Sequence, residues 1–398
     1  MEKPAYAGGK PVRETKLYYG HQYLDEKDVQ TVVEVLHSDY LTCGPRITEL
    51  EQKLCELTGA KYAVVCSNDT AALHIACMAA GVSAGDEVIT TPITFLASAN
   101  CALYCGAKPV FADIDEETYN IDPKEIEKAL TPKTKAVVAV DYTGQVVDLD
   151  AIMETCHKQN VVVIEDAAHS IGTLYKGRPV GSIADMTTFS FHPVKTVTAG
   201  EGGAVLTDNE EYYKKLLLYR SHGMTRDQAQ MTKESEGGWY YQMIDLGYNY
   251  RMTDMQAALL ISQLEKLPMF SKRRKEIVAR YNEAFSQIPE LTLQQELEGS
   301  DTTRHLYILR IKPEKLSIDR REFFDALAAE NIMCNVHYIP IYLQPYYQEM
   351  GYPKGLCPKA EKLYSEMMSL PLYYAMTDQD VEDVITAVQK IVDYYKNK

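Results

Sequence analysis

An acid, a serine and a lysine within thirty residues carry most of the chemistry that this chain displays. The run VVVIEDAAHSIG ends an apolar stretch on Asp166. DMTTFSFHPVKTVTAGEGG follows, with Ser190 and then Lys195, 29 positions after the acid (195 − 166) and just before a glycine-rich turn. If both apolar runs are strands of one sheet, acid and lysine meet at its carboxyl edge, where open α/β folds bind ligands. A lysine amine there can form a Schiff base with an aldehyde cofactor. A carboxylate can hold the proton on such a cofactor's pyridine nitrogen and so make the ring an electron sink. Singly, these types are ordinary: an Asp at a strand end commonly anchors a loop, and a lysine is commonly a solvated surface charge.

A phosphorylated cofactor also needs donors, and the run Ser67-Asn68-Asp69-Thr70-Ala71-Ala72 offers them. It opens a helical pattern, so its backbone N–H groups are free, the helix dipole favours an anion, and Thr70 adds a hydroxyl. By default the same run is only a helix cap. Ser190 is a second hydroxyl for the phosphate, Phe95 stands after the strand-like EVITTP where an aromatic can stack on a ring, and His169 can cover the ring or buttress Asp166. Phe95 could equally be a core aromatic and His169 a hydrogen-bonded structural histidine. The order in which the set occurs, namely phosphate loop, aromatic, carboxylate, serine, lysine and glycines, is what lifts it above its members.

The elements that must position these residues follow from periodicity. From about residue 61 to 206, short β-branched runs alternate with helical patterns, the signature of β-α units on a largely parallel sheet. The expected strands are YAVVCS, EVITTP, KPVFADI, KAVVAVDY, VVVIEDA, MTTFSF and GAVLTD, whose near-continuous Val and Ile suit strands covered on both faces. TAALHIACMAAGV and LDAIMETCHKQN read as helices between them. A long helical pattern from Met255 to Gln287, interrupted by Pro268, leads to a smaller α+β domain with a strand near HLYILRI and helices in RREFFDALAAENI and DVEDVITAVQKIVDYY. The expected division is a large α/β domain over residues 1–260, N-terminal segment included, and a small domain over 261–398. DQAQMTKESEGG, Asp227 to Gly238, reads as a mobile loop.

Composition narrows the class. The 398 residues, 46% of them apolar, can build a sizeable core, and a net charge of −15 argues against a general nucleic-acid binder. No apolar stretch is long enough to span a membrane, and MEKPAYAGGKPVRETK lacks the apolar region of a secretory signal, so the expected compartment is the cytoplasm. Nine cysteines lack the paired spacing of a zinc or redox motif, and the nine histidines show no ligand spacing, so no metal is expected.

The chain resembles the DegT/StrS family of sugar-nucleotide aminotransferases, fold type I pyridoxal-phosphate enzymes, over essentially its whole length. The resemblance rests on TCGP at Thr42 to Pro45, SNDTAAL at Ser67 to Leu73, TPITFLASAN at Thr91 to Asn100, EDAAHSIG at Glu165 to Gly172, FSFHPVKTVTAGEGG at Phe189 to Gly203 and LGYNYRMTDMQAAL at Leu246 to Leu259. It implies that Lys195 bonds the cofactor, Asp166 partners the pyridine nitrogen, Ser190 and Thr70, beside Asp69, hold the phosphate, and His169 and Phe95 lie on the ring faces. Asn249 is implied to reach the phosphate of a neighbouring subunit's cofactor, which makes the active form a homodimer. SHGMTRD at Ser221 to Asp227 and VHYIPIYLQPYY at Val336 to Tyr347 are similar to the members of the family that serve the pseudaminic acid pathway. That similarity implies transfer of the amino group of L-glutamate to C4 of a UDP-linked 4-keto-6-deoxy-N-acetylhexosamine of L-altro type. His337 and the tyrosines after it are then candidates for the sugar-nucleotide pocket, and Arg226 and Arg251 for the glutamate carboxylate. A related group of sugar dehydratases carries histidine at the position of Lys195, so the lysine favours transamination. No basic helix-turn-helix extension of a regulatory protein is present.

Overall fold

The computed structural model describes residues 2–396. All seven expected runs form strands of one sheet: β1 (Tyr62–Cys66), β2 (Glu87–Thr90), β3 (Lys108–Phe111), β4 (Thr134–Val140), β5 (Val162–Asp166), β6 (Met186–Ser190) and β7 (Gly203–Thr207). Their order across the sheet is β1-β7-β6-β5-β4-β2-β3, and every neighbouring pair is parallel except those of β7, which runs antiparallel to both β1 and β6.

The apolar runs are continuous because both faces of the sheet are covered. Along β1, Ala63 and Val65 belong to one buried cluster while Val64 and Cys66 belong to another, and along β4 Val137 and Ala139 alternate in the same way with Ala136 and Val138. The first cluster packs against helices 45–58, 149–157 and 254–265, the second against helices 69–79 and 97–104. Each fully buried Val, Ile or Leu contributes about 1.5–3 kcal/mol, so this two-sided cover is what fixes the strand edges in place.

The long helical pattern is two helices, Asp254–Glu265 and Leu267–Phe285, broken where expected. Pro268 stands in the first turn of the second, where its missing N–H costs no hydrogen bond. The second helix joins two cores. Leu267 and Phe270 pack into the first sheet-covering cluster, whereas Ile277, Val278, Tyr281 and Phe285 pack into a separate cluster with the strands Leu291–Leu293, Tyr307–Ile311 and Met367–Leu370 and the final helix Asp378–Tyr395. The N-terminal segment joins this C-terminal cluster too: Leu17 is part of it, and Leu17–Tyr18 pairs in parallel with Ile332–Met333. Residues 227–238 form a loop between the two-residue strands Met224–Thr225 and Gln242–Met243. Among the described residues no helix is long and apolar enough to cross a membrane.

Candidate active site

Asp166 is the last residue of β5 and is 3% exposed. Its Oδ2 accepts a hydrogen bond from the Ser98 hydroxyl at 2.7 Å and its Oδ1 one from the Ala168 N–H at 3.2 Å. The Ser98 hydroxyl lies 2.8 Å from that of Thr94, in the bend before the helix. Burial pushes the carboxyl above the usual carboxylate range, while Ser98, Ala168 and the Lys195 charge pull it down. These contacts hold an anion at the sheet edge with an orientation fixed from two sides.

Lys195 follows β6 in a turn closed by its own N–H donating to the His192 carbonyl at 2.9 Å. Its ammonium makes no hydrogen bond or ion pair with any described residue. Burial pushes it down to about 8, with Asp69 and Asp166 pulling it back up. Near neutral pH a useful fraction of this amine is therefore unprotonated, the form that attacks an aldehyde.

The first helix beyond β1, Asp69–Ala79, is capped by Asn68, whose Oδ1 accepts the Ala71 N–H at 2.9 Å; Ala72 N–H bonds to the Asn68 carbonyl at 3.1 Å. The N–H groups of Asp69 and Thr70 are left without a partner among the described residues, as are the hydroxyls of Thr70 and Ser190. Two N–H donors, two hydroxyls and the positive end of a helix dipole make a phosphate cradle. Gly203, the first residue of β7, lies directly beneath it: a Cβ there would stand 2.5 Å from the Asn68 carbonyl carbon and oxygen and 2.6 Å from the Asp69 nitrogen. No side chain fits. Within this cradle the Asp69 Oδ1 is buried without a hydrogen-bond partner, and burial together with Asp166 pushes the carboxyl up to about 8 against the pull of Lys195.

A cavity of about 470 Å³ joins these groups and is closed by residues of both halves of the molecule. Phe95, 58% exposed, and His169, 5% exposed, both line it. The His169 Nε2 is 3.4 Å from the Tyr338 hydroxyl, and its Nδ1 is buried with no partner. Burial, with Lys195 and His337 adding to it, holds this imidazole neutral by depressing its pKa well below the usual value. From the C-terminal half come His337, held by Ser369 at 2.8 Å and pushed down to about 4 by burial, and Tyr338; from the N-terminal segment comes Tyr19.

The structure thus brings together Lys195, Asp166, His169, Ser190, Asp69, Thr70 and Phe95. Asn249 is exposed and does not line this cavity, and neither do Arg226 and Arg251. Of the tyrosines after His337, Tyr338 reaches the cavity, Tyr342 and Tyr347 are buried beside Phe111, and Tyr346 is 63% exposed elsewhere. Ser98, Thr94, Tyr19 and Glu201 line the cavity although the sequence motifs did not point to them. Thr94 and Ser98 both fall in TPITFLASAN, Thr94 in the bend before helix 97–104 and Ser98 in its first turn; Tyr19, far away in the chain, carried no signal. The residues present fit pyridoxal phosphate: a buried carboxylate for the ring nitrogen, a low-pKa amine for the aldehyde, and orphaned N–H and hydroxyl donors for the phosphate.

Comparison with known proteins agrees with this geometry. Residues 22–389 match the DegT/DnrJ/EryC1/StrS aminotransferase family. The chain is 44% identical over 378 residues to the spore coat polysaccharide biosynthesis protein SpsC of Bacillus subtilis, covering 94% of this chain and 97% of the relative. Among solved structures it is similar to Helicobacter pylori PseC, an aminotransferase involved in the biosynthesis of pseudoaminic acid, with a TM-score of 0.89, 32% identity and coverage of 96% of this chain and 100% of that one. The sugar aminotransferase Spr1654 of Streptococcus pneumoniae, described as putative and solved in its PLP form, gives a TM-score of 0.89 at 32% identity over 95% and 99% of the two chains.

Proposed function

The chain belongs to the DegT/DnrJ/EryC1/StrS aminotransferase family and is a pyridoxal-phosphate-dependent sugar aminotransferase; from that premise we propose that it moves the amino group of L-glutamate to C4 of a UDP-linked 4-keto-6-deoxy-N-acetylhexosamine. The observation that carries the reading is the half-buried, unpaired Lys195 amine that shares one cavity with Asp166. When bound, pyridoxal phosphate supplies the electron sink that acidifies the substrate carbon. Lys195 Nζ would hold the cofactor's aldehyde and, as the free amine, would move the proton at the substrate carbon. The Asp166 carboxylate holds the proton on the ring nitrogen. Thr70, Ser190 and the two free N–H groups hold the phosphate, and His169 with Phe95 confines the ring.

Cavity charge supports a two-subunit site. Lys195 is the single lysine lining it and no arginine does, against the acids Asp166 and Glu201, so cations for the glutamate and diphosphate groups would come from elsewhere. Asn249 is exposed, and the ten residues before it carry exposed Trp239 (72%), Met243 (61%) and Leu246 (63%), apolar side chains that suit burial in a homodimer. Similarity to PseC supports the pseudaminic acid precursor as acceptor. The higher identity to SpsC favours a second reading, a different nucleotide-linked keto-sugar destined for a surface polysaccharide.

One experiment separates them. The absorbance of the lysine-bound cofactor is followed as L-glutamate bleaches it, and then as each of a panel of UDP- and dTDP-linked keto-sugars is added. Recovery with the UDP-linked 4-keto-N-acetylhexosamine alone supports the first reading, and recovery with another sugar alone supports the second. Lys195→Ala must abolish both bleaching and recovery.

A further inference from the structure

A carboxylate is an odd wall for a phosphate cradle. Asp69 supplies one of the free N–H groups, yet its side chain lines the same cavity with Oδ1 buried and without a hydrogen-bond partner. A phosphate monoester, with its second pKa near 6, arrives there as a dianion at neutral pH and above. Like charges within one cavity, away from bulk water, repel, and ionising both groups is disfavoured.

The neighbours of Asp69 leave few ways to relieve this. Asp166 at the end of β5 has the same sign and Lys195 after β6 the opposite one; the Thr188 hydroxyl on β6, itself buried without a settled partner, stands beside Asp69 and favours its anion, a pull that burial outweighs. The thiol of Cys66 at the end of β1, pushed up to about 12 by burial, is neutral as well. Glu201 and His192 line the cavity farther along the turn before β7. Gly203 blocks a retreat, because the loop cannot sink toward β7.

We propose that Asp69 stands in the cofactor-loaded site as the neutral carboxylic acid, serving as an added hydrogen-bond donor in the cradle, so that in alkaline solution, where the carboxyl of the free protein is ionised, cofactor uptake is linked to proton uptake. Asp69 is a positioning residue here: it acts on the phosphate and takes no part in moving the substrate proton. The shift of its carboxyl to about 8 in the cofactor-free protein agrees with a proton being readily held. The inference rests on the cofactor dependence of the family but on no particular sugar.

The test uses cofactor-free protein and pyridoxamine 5′-phosphate, which has the phosphate and ring but forms no bond to Lys195. Affinity is measured from pH 7 to 9.5 for the wild type and for Asp69→Asn, which keeps a donor and cannot ionise. The ratio of wild-type to variant dissociation constants is expected to rise with pH, approaching tenfold per unit above about 8, as the acid that must be reprotonated becomes ionised. In calorimetry above pH 8, the wild type should take up more protons per ligand than Asp69→Asn, read from the enthalpy in buffers of different ionisation heats. A ratio that stays constant with pH overturns the proposal. If the variant does not fold, absence of proton uptake by the wild type overturns it on its own. A protein that binds no pyridoxamine phosphate at any pH would instead sink the cofactor reading itself, so the two failures are distinguishable.

Discussion

Ser98→Ala removes a hydroxyl that is 1% exposed and donates to Asp166 at 2.7 Å. A hydrogen bond to a charged, buried acceptor is worth about 1.5–3 kcal/mol, and at 1.36 kcal/mol per tenfold this corresponds to roughly 10- to 150-fold in any equilibrium that depends on the ionised carboxylate. Without the donor, the anion loses stabilisation while the acid does not, so the Asp166 pKa rises by about 1–2 units. The proton between Asp166 and the ring nitrogen then shifts toward Asp166, and the substrate carbon becomes less acidic. The single-turnover rate with L-glutamate, read from the decay of cofactor absorbance, should therefore fall by about 10- to 100-fold. The acid limb of its pH profile should move upward by about 1–2 units, because activity is lost when the carboxylate is protonated and the variant carboxylate is protonated at higher pH. Thr94→Val, which removes only the neighbour of Ser98, should show the same direction at about 0.5–1.5 kcal/mol. A folded Ser98→Ala protein with an unchanged half-reaction rate and an unmoved acid limb would refute the reasoning.

Two further outcomes are expected. Gly203→Ala must push the phosphate loop away from β7, since the added carbon lies 2.5 Å from the Asn68 carbonyl; cofactor affinity measured by fluorescence titration should drop by about 5- to 150-fold, the equivalent of an overpacking cost of about 1–3 kcal/mol. If Asn249 serves the partner subunit's cofactor, mixing inactive Lys195→Ala and Asn249→Ala proteins under conditions of subunit exchange should restore about a quarter of wild-type activity, because one site in each mixed dimer of this symmetric arrangement receives neither change. No recovery despite demonstrated exchange would place Asn249 in its own subunit's site.

Sequence and structure agree where one physical requirement dominates. The seven strands of the main sheet are legible because burial on both faces demands unbroken apolar runs, and Pro268 marks a helix start because it lacks an N–H. The reversed direction of β7 is invisible, since GAVLTD would read the same in either sense. The pairing of Leu17–Tyr18 with Ile332–Met333 is likewise hidden: two residues carry no periodicity, and the partner is 315 positions away (332 − 17). In the site, Lys195 and Asp166 stand out because few residue types can do what they do. Ser98 does not, being a common type whose partner lies 68 positions away.

The reversed strand has a consequence for turnover. Because β7 returns alongside β6, the residues between Ser190 and Gly203 leave the sheet and re-enter it at the same edge, with Phe191 N–H bonded to the Gly202 carbonyl and Ala199 N–H to the Phe191 carbonyl, both at 2.9 Å. Lys195 therefore rides on a short leash pinned at both ends, unlike a residue on a crossover that must travel over the sheet. An amine set free in each cycle stays within a side chain's reach of its target, and recapture of the cofactor needs only rotation about side-chain bonds.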